Sequence, residues 1–531
     1  MILITSGNYV DDEFASEIGL IPPSFLPVGN KRLYEYQIEF LSNFLYKEDK
    51  IYLSIPYLYE IGQSENKFLN TQGVEIIKVD NKASLGNSIF SCLEKVESST
   101  NELIILNGDT LFLDSSFNEV DCVSIHKNDS YYKRGVVNYT YETDTVWSDK
   151  DVEVISGFFR FSDKNLFQNI LVKKEFDFIA SISEYNNEVK INFNNDGTWL
   201  DFGHINSYFH SKRFFGTQRS FNELNIKRNT IEKKSSNNPN KIIAEANWFQ
   251  QIPSDLKLFT PQFTDFNQEV SSPSYTLEYL YLPSLSELLV FGQIKNGEWE
   301  NIFHVIQKLL ISFIKNKPQA IKSNDIEIHK KIYLDKTTTR LNEFFNKNRL
   351  GIDCNHKFNI QGEEMTLLDI AAISSKYISP LDEKFLTISH GDLCFSNILY
   401  DQRAGLVKCI DPRGISPDGK YSIYGDIRYD VGKLFHSFFG FYDFIIAGKY
   451  DLSTGDEWII EFHKDTINAN EIFNIFDKEI MKKMNFSIHE ILAINVHLFL
   501  SMLPLHDENI NRQKAFIANA IRLFKILTTK K

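Results

Sequence analysis

His390-Gly391-Asp392-Leu393-Cys394-Phe395-Ser396-Asn397, followed by Ile410-Asp411-Pro412-Arg413-Gly414, is the stretch from which the rest of the chain can be read. Asp392 is placed to accept the proton of a substrate hydroxyl. Asn397 can turn back to a metal ion. Asp411 follows the apolar Leu406, Val407 and Ile410, as expected of a carboxylate carried off a strand end onto Mg²⁺. A phosphoryl group in flight is stabilised by position and charge, so such a site needs a base, metal ligands and a cation, and no covalent nucleophile. A capped turn plus an exposed strand-end Asp is the plainer alternative.

The order H-x-D-x-x-x-x-N, then an apolar strand, then Asp, is that of a kinase catalytic loop and its metal-binding Asp. Gly391 stands where protein kinases carry Arg, Asp-Pro-Arg-Gly replaces Asp-Phe-Gly, and no Ala-Pro-Glu follows. The stretch therefore resembles the aminoglycoside phosphotransferase and choline kinase superfamily. That resemblance implies ATP and Mg²⁺, with Asp392 as base, Asn397 and Asp411 as metal ligands, and Arg413 on the substrate side. It also implies a kinase-like α+β domain, a small sheet lobe over 214–285 and a large helical lobe over 286–531.

Upstream, Ile231-Glu232-Lys233 has the alternation of a strand whose Lys holds ATP phosphates. Glu245 lies on the helix expected near Ile242. By resemblance Lys233 and Glu245 form the kinase Lys–Glu pair, with Lys234 as the alternative cation. Tyr275 to Leu282 reads either as an edge strand or as the hinge that meets adenine through backbone groups around Glu278 to Leu280. Helical periodicity dominates from Ile302 and over the last hundred residues. Asp430, in Asp426-Ile427-Arg428-Tyr429-Asp430-Val431-Gly432-Lys433-Leu434, is expected to brace the loop of Asp392. The aromatic run Phe435 to Phe444 reads as core or as the lining of an acceptor pocket.

The first half alternates short apolar strands (Ile2 to Thr5, Ile51 to Ile55, Val74 to Val79, Leu103 to Leu106) with helical patterns, one of them running from Leu33 to Phe44. That predicts an α/β domain with a mainly parallel sheet whose ligands bind at the strands' carboxyl ends. Four segments then resemble the sugar-1-phosphate nucleotidyltransferases. They are Leu3-Ile4-Thr5-Ser6-Gly7; Leu26-Pro27-Val28-Gly29-Asn30-Lys31-Arg32-Leu33-Tyr34-Glu35-Tyr36-Gln37; Asn107-Gly108-Asp109; and Gly197-Thr198-Trp199-Leu200-Asp201-Phe202-Gly203. The resemblance implies a Rossmann-like (GT-A type) domain over 1–213, the rest (214–531) being the kinase-like domain. Asp109 and Asp201 would hold Mg²⁺, and the backbone of Ser6 and Gly7 would wrap a triphosphate. Leu85, Gly86, Asn87 and Ser88 would meet the base, and Gly157 the sugar. Alternatively, Asp109 is a turn residue and Asp201 caps a helix at Ile205. Two departures stand out. Pro23 occupies the family's Lys position, and the first loop carries Asp11, Asp12, Glu13 and Glu17. Lys31 or Arg32 is the expected replacement cation.

The bulk properties agree with a globular enzyme. The 531 residues are 43% hydrophobic and carry a net charge of −13, which argues against nucleic acid or an anionic membrane as partner. The five Cys are scattered without metal or disulfide spacing. The N-terminus lacks a basic region and long apolar core, and Leu434 to Gly448 is too short to span a bilayer, so a cytoplasmic location without membrane insertion is expected. Oligomeric state is left open. The two resemblances together predict a bifunctional enzyme. One half phosphorylates a small sugar or polyol with ATP, and the other couples the product to a second NTP, CTP being preferred, for a surface polysaccharide precursor. Choline as acceptor, or a non-catalytic binding module in the first half, are the alternatives.

Overall fold

The computed structural model describes residues 1–45, 50–96, 100–114, 117–127, 132–137, 143–147, 152–215, 223–269, 272–319, 326, 328, 331–464 and 468–529. The chain divides into two compact units, Met1–Gly216 and Thr217–Lys531.

In the first unit Ile2–Thr5 lies between Ile51–Pro56 and Leu103–Asn107, parallel to both, and Val74–Val79 continues the parallel set. Continuous apolar runs of this kind suit strands covered on both faces. Glu153–Phe161 then pairs antiparallel with Leu103–Asn107, and Cys122–Lys127 pairs with it in turn. Among the described residues the sheet has nine strands. The helix at Leu33 stops at Leu41 and tightens into a 3₁₀ turn over Ser42–Phe44. The acidic first loop contains a helix, Asp12–Ile18, whose first turn carries Asp12 and Glu13. The Asp11 carboxylate accepts the Phe14 N–H at 2.9 Å. Acidic side chains favour a helix N-terminus, so the charge has a local structural reason.

The second unit opens with a four-stranded antiparallel sheet in the order Glu223–Ile226, Thr230–Lys234, Ser274–Glu278, Phe263–Asn267. The helix Pro239–Gln251 buries Ile242, Trp248 and Phe249. Helices follow, among them Asn296–Lys315, Leu334–Lys347, Ile427–Phe438, Ile488–Met502 and Ile510–Thr528. A hairpin, Tyr450–Thr454 with Trp458–Phe462, interrupts the otherwise helical late region. Among the described residues Ile488–His506 is the one segment long and apolar enough to cross a membrane, with mean hydropathy 1.5. However, 83% of that window is buried inside the protein, where it packs in the core.

Gly86 shows how tightly the first unit is packed. A Cβ there would lie 2.2 Å from the Phe176 carbonyl oxygen, and backbone cannot move aside cheaply. Gly86→Ala is expected to destabilise by about 1–3 kcal/mol, although Ala is the better helix former. Gly297→Ala, in the first turn of Asn296–Lys315 with nothing within 4 Å, should stabilise by about 0.5–1 kcal/mol. Denaturant midpoints of the two variants check the pair, which should move in opposite directions.

Candidate active sites

In the second unit a short hairpin assembles the site. Ile398–Asp401 pairs with Leu406–Cys409, Ile398 facing Cys409, so the residues flanking the hairpin lie side by side. The Ile410 N–H donates to the Asn397 carbonyl at 2.9 Å. Asn397 Nδ2 donates to the Asp392 carbonyl at 2.9 Å and to Asp392 Oδ2 at 3.3 Å. Asp411, the next residue along, takes a left-handed backbone, φ +59. Such a conformation is uncommon outside Gly, Asn and Asp.

Lys233 sits opposite Tyr275 in the sheet. Its Nζ lies 2.7 Å from Glu245 Oε2 and 3.0 Å from Asp411 Oδ1. The Tyr275 hydroxyl donates to the same Glu245 oxygen at 2.6 Å. Lys234, on the other face of the strand, is exposed. Burial lowers the proton affinity of Lys233, but Asp411 and Glu245 outweigh it and hold the ammonium charged. Burial pushes the Glu245 carboxyl up, more than Lys233 brings it down. Burial also raises Asp411, yet the Lys233 ammonium wins and Asp411 ends below its ordinary value. The Trp248 indole N–H, on the helix of Glu245, donates to the Ser389 carbonyl at 2.9 Å, which ties that helix to the His390 loop.

Asp430 lies where the sequence placed it. Its carboxylate accepts the His390 N–H at 2.9 Å and the Gly391 N–H at 2.8 Å. Gly391 has φ +76, and a Cβ there would lie 2.8 Å from the Cβ of Arg413, so an Arg as in protein kinases would not fit this loop. His390 Nδ1 accepts the Asp392 N–H at 3.3 Å. Burial drives its ring down to about 4, so it is neutral near pH 7. Lys433 Nζ lies 2.9 Å from Asp392 Oδ1. Sequence reading missed Lys433, although it ends the same helical turn as Tyr429 and Asp430. Arg413 Nη2 donates to the Tyr429 hydroxyl at 3.2 Å. In the expected hinge the Glu278 and Tyr279 N–H groups donate to Gln262 and Asn229 carbonyls, each at 2.9 Å. Those two amides are used by the fold. Leu280 follows the strand, half-buried.

In the first unit the pairing of Thr110–Leu113 with Thr198–Asp201 sets Asp201 against Thr110, one residue from Asp109. The Phe202 N–H donates to the Asp109 carbonyl at 2.8 Å. A Cβ on Gly203 would lie 2.6 Å from Asp109 Oδ2 and 3.2 Å from Asp201 Oδ1, so the two carboxylates flank one point. Asp201 is a strand-end residue, and the helix that follows is capped by His204. Burial, and then the nearby Asp201 charge, push the Asp109 carboxyl up to about 6. Gln37 explains the end of the second quoted segment. Its Nε2 donates to the carbonyls of Asn107, Gly108 and Thr110 at 3.1, 3.1 and 2.9 Å, clamping the turn that carries Asp109. Arg134 forms an ion pair with Asp201. It stands outside every motif, and no sequence signal marked it.

The remaining expected residues divide. The Ser6 N–H donates to Ser54 Oγ at 3.0 Å, and Ser6 is buried. This corrects the expectation that its amide faces a triphosphate. Gly7 packs against Ser88, a Cβ there lying 2.8 Å from Ser88 Oγ, so the first loop does meet the helix Leu85–Lys95. Leu85 and Asn87 lie in the first turn of that helix, where the Asn87 N–H donates to Ser84 Oγ at 3.2 Å. Gly157 sits beside Asn107 and Thr110, within 3.1 Å of both by its missing Cβ. Lys31 is exposed, its ammonium 5.0 Å from the Tyr36 ring centroid. Arg32 is fully buried, bound to Glu65 at 2.7 Å and to the Phe25 carbonyl. Its charge is consumed structurally.

Among the described residues no group of three or more His, Cys, Asp or Glu side chains gathers as a metal cage. Each site instead offers one or two carboxylates. Mg²⁺ accepts such a set when waters and substrate phosphates complete its shell, so both donor sets fit it.

No protein-family model matches the chain, and no curated protein does. Among solved structures it is similar to HddC from Yersinia pseudotuberculosis, at 16% identity over 40% of this chain and 98% of that one, TM-score 0.30. It is similar to an aminoglycoside-3'-phosphotransferase of type VIII, at 11% identity over 59% and 97%, TM-score 0.30. A third is 4-diphosphocytidyl-2C-methyl-D-erythritol synthase from Anaerococcus prevotii, at 14% over 40% and 96%, TM-score 0.26. At such scores the likeness carries no argument, and the fold stands on the strand order and register above.

The Lys233 cluster makes a stability prediction. Lys233→Met leaves Glu245 buried beside Asp411 without its main cation, at an expected cost of about 3–5 kcal/mol. The Glu245 carboxyl would then rise further above its unfolded value. A raised carboxyl contributes stability at low pH that is lost as pH rises through the folded value, so the deficit should be larger at pH 8 than at pH 5. Adding Glu245→Gln should recover more than half of it. Chemical denaturation at both pH values measures this.

Proposed function

We propose that the second unit phosphorylates a small hydroxylated acceptor with ATP. The observation that carries this is the placement of Lys233 between Glu245 and Asp411, with Asn397 joining Ile410, the residue before Asp411, to Asp392. Lys233 would hold the nucleotide phosphates and Glu245 would position it. Asp392 would take the acceptor proton as its oxygen attacks the γ-phosphorus, the bond to the bridging oxygen breaking to release ADP. Lys433 would keep Asp392 aimed. Asn397 and Asp411 would hold Mg²⁺, which when bound neutralises the phosphate oxygens. Arg413 belongs to the acceptor side, and Leu280 to the adenine side.

We infer that the first unit transfers a nucleotidyl group. Asp109 and Asp201 would hold Mg²⁺ at the carboxyl end of the parallel strands. The phosphate oxygen of the first product attacks the α-phosphorus of a second NTP, here CTP by preference, and pyrophosphate leaves. Gly7, Asn87 and Ser88 would line the nucleotide, and Gly157 the sugar. The product would be an NDP-sugar-type precursor for a surface polysaccharide. The engaged Ser6 amide and the helical first loop favour a second reading, in which this unit binds a nucleotide without catalysis.

The protein would be incubated with ATP, CTP, Mg²⁺ and a panel of sugars and polyols, with ADP and pyrophosphate followed separately. Asp392→Asn should cut ADP release by roughly 10²–10⁴-fold. Asp109→Ala and Asp201→Ala should remove pyrophosphate release while ADP release continues. Pyrophosphate release that survives both Asp variants would reject the first unit's assignment, and ADP release indifferent to Asp392 would reject the second's.

A further inference from the structure

Most cations around the two sites have a carboxylate to answer them. Lys233 has Glu245 and Asp411, Lys433 has Asp392, Arg32 has Glu65, and Arg134 has Asp201. Arg428 has Asp426 and Glu490. Two do not follow this pattern. Lys336, on the helix Leu334–Lys347, and Arg413, both half-buried, donate to one phenol, the Tyr429 hydroxyl, at 3.0 and 3.2 Å. Among the described residues neither has a carboxylate within ion-pair distance.

Their place in the fold gives this meaning. A recess lined by Ile332, His390, Gly391, Arg413, Asp426 and Tyr429 opens against the loop of Asp392; Arg413 lines it directly, and Lys336 meets it through the Tyr429 hydroxyl. The carboxylates nearest to it are committed elsewhere. Asp392 is held by Lys433, Asp430 by the His390 and Gly391 amides, and Asp426 by Arg428 and the Tyr333 hydroxyl. Both cations also lie over the Tyr429 ring, 5.2 and 5.0 Å from its centroid. Burial raises the Tyr429 phenol, but Lys336, Arg413 and Lys433 together bring it down to about 7. A phenol held that low marks a strongly positive recess.

An ammonium carries three N–H donors and a guanidinium five, and the Tyr429 oxygen takes one from each. A guanidinium and an ammonium converging from two elements make a forked donor set suited to a carboxylate or phosphate. The same field would repel an amine or quaternary ammonium. We propose that the acceptor phosphorylated at Asp392 is itself an anion, a small hydroxylated carboxylic acid or phosphate ester, and that Lys336 and Arg413 bind its charged group. This rests on the reading of Asp392 as the acceptor's base. Lys336 and Tyr429 then set acceptor specificity.

The test compares matched acceptors by ADP release: glycerate and glycerol phosphate against glycerol, gluconate and glucose 6-phosphate against glucose, and choline. The anions should be preferred, and which of the two anion types is preferred identifies the charged group. Lys336→Met should raise KM for the anionic acceptor roughly ten- to hundred-fold, the worth of a hydrogen bond to a charged group, with KM for ATP unchanged. Lys336→Arg should restore most of it, which a merely structural role would not require. A second readout needs no turnover. Near pH 8 the Tyr429 phenolate absorbance, absent in Tyr429→Phe, should fall when the anion binds and neutralises the two cations. If ADP is released with glycerol, glucose or choline as readily as with the acids and the phenolate does not move, the anion site is overturned while the kinase reading stands. If no acceptor is phosphorylated but the acids still quench the phenolate, the kinase reading fails and the anion site stands. A Lys336→Met effect on ATP alone would assign these cations to the nucleotide and overturn the proposal.

Discussion

The candidate chemistry in this chain is organised around carboxylates each paired with a cation within hydrogen-bond reach. Asp411 and Glu245 share Lys233, Asp392 has Lys433, and Asp201 has Arg134. Such a cation fixes the carboxylate's position and favours its charged form. Asp109 shows the limit. With a second carboxylate beside it and Arg134 turned to Asp201, it stays raised, at about 6.

Backbone register does the assembling. A hairpin sets Asn397 beside Ile410 and so delivers Asp411 to the Asp392 loop. A two-stranded ribbon sets Asp201 beside Thr110 and so delivers it to Asp109. In each case residues far apart, or separated by a loop, meet because one strand pair has one register. A slip by one residue would turn the side chains to the opposite face. Gln37 and Asp430 do the complementary work of holding loop backbone in place.

The recess at Tyr429 differs, with two cations converging on one phenol. A site evolved for a cationic acceptor would be lined with acids or aromatic faces alone. Here the aromatic ring is present but two cations already lie over it.

Patterns local in sequence were legible without coordinates. They include the apolar runs Ile2 to Thr5 and Leu103 to Leu106, the pairing of Lys233 with Glu245, the Asp430 brace, and the order of Asp392, Asn397 and Asp411. The apolar runs are a matter of short-range periodicity, and the rest follows from resemblance to family motifs of fixed order and spacing. The helix inside the acidic loop was less so, because its Asp11 cap reads equally well as a turn. What tertiary structure alone decided is which charge answers which. Arg32 is spent on Glu65, the Ser6 amide on Ser54, and Arg134 on Asp201. Lys336 reaches Tyr429 from a helix more than ninety positions away. Coulomb attraction and hydrogen bonding depend on distance in space, and a single chain carries no record of that until it has folded.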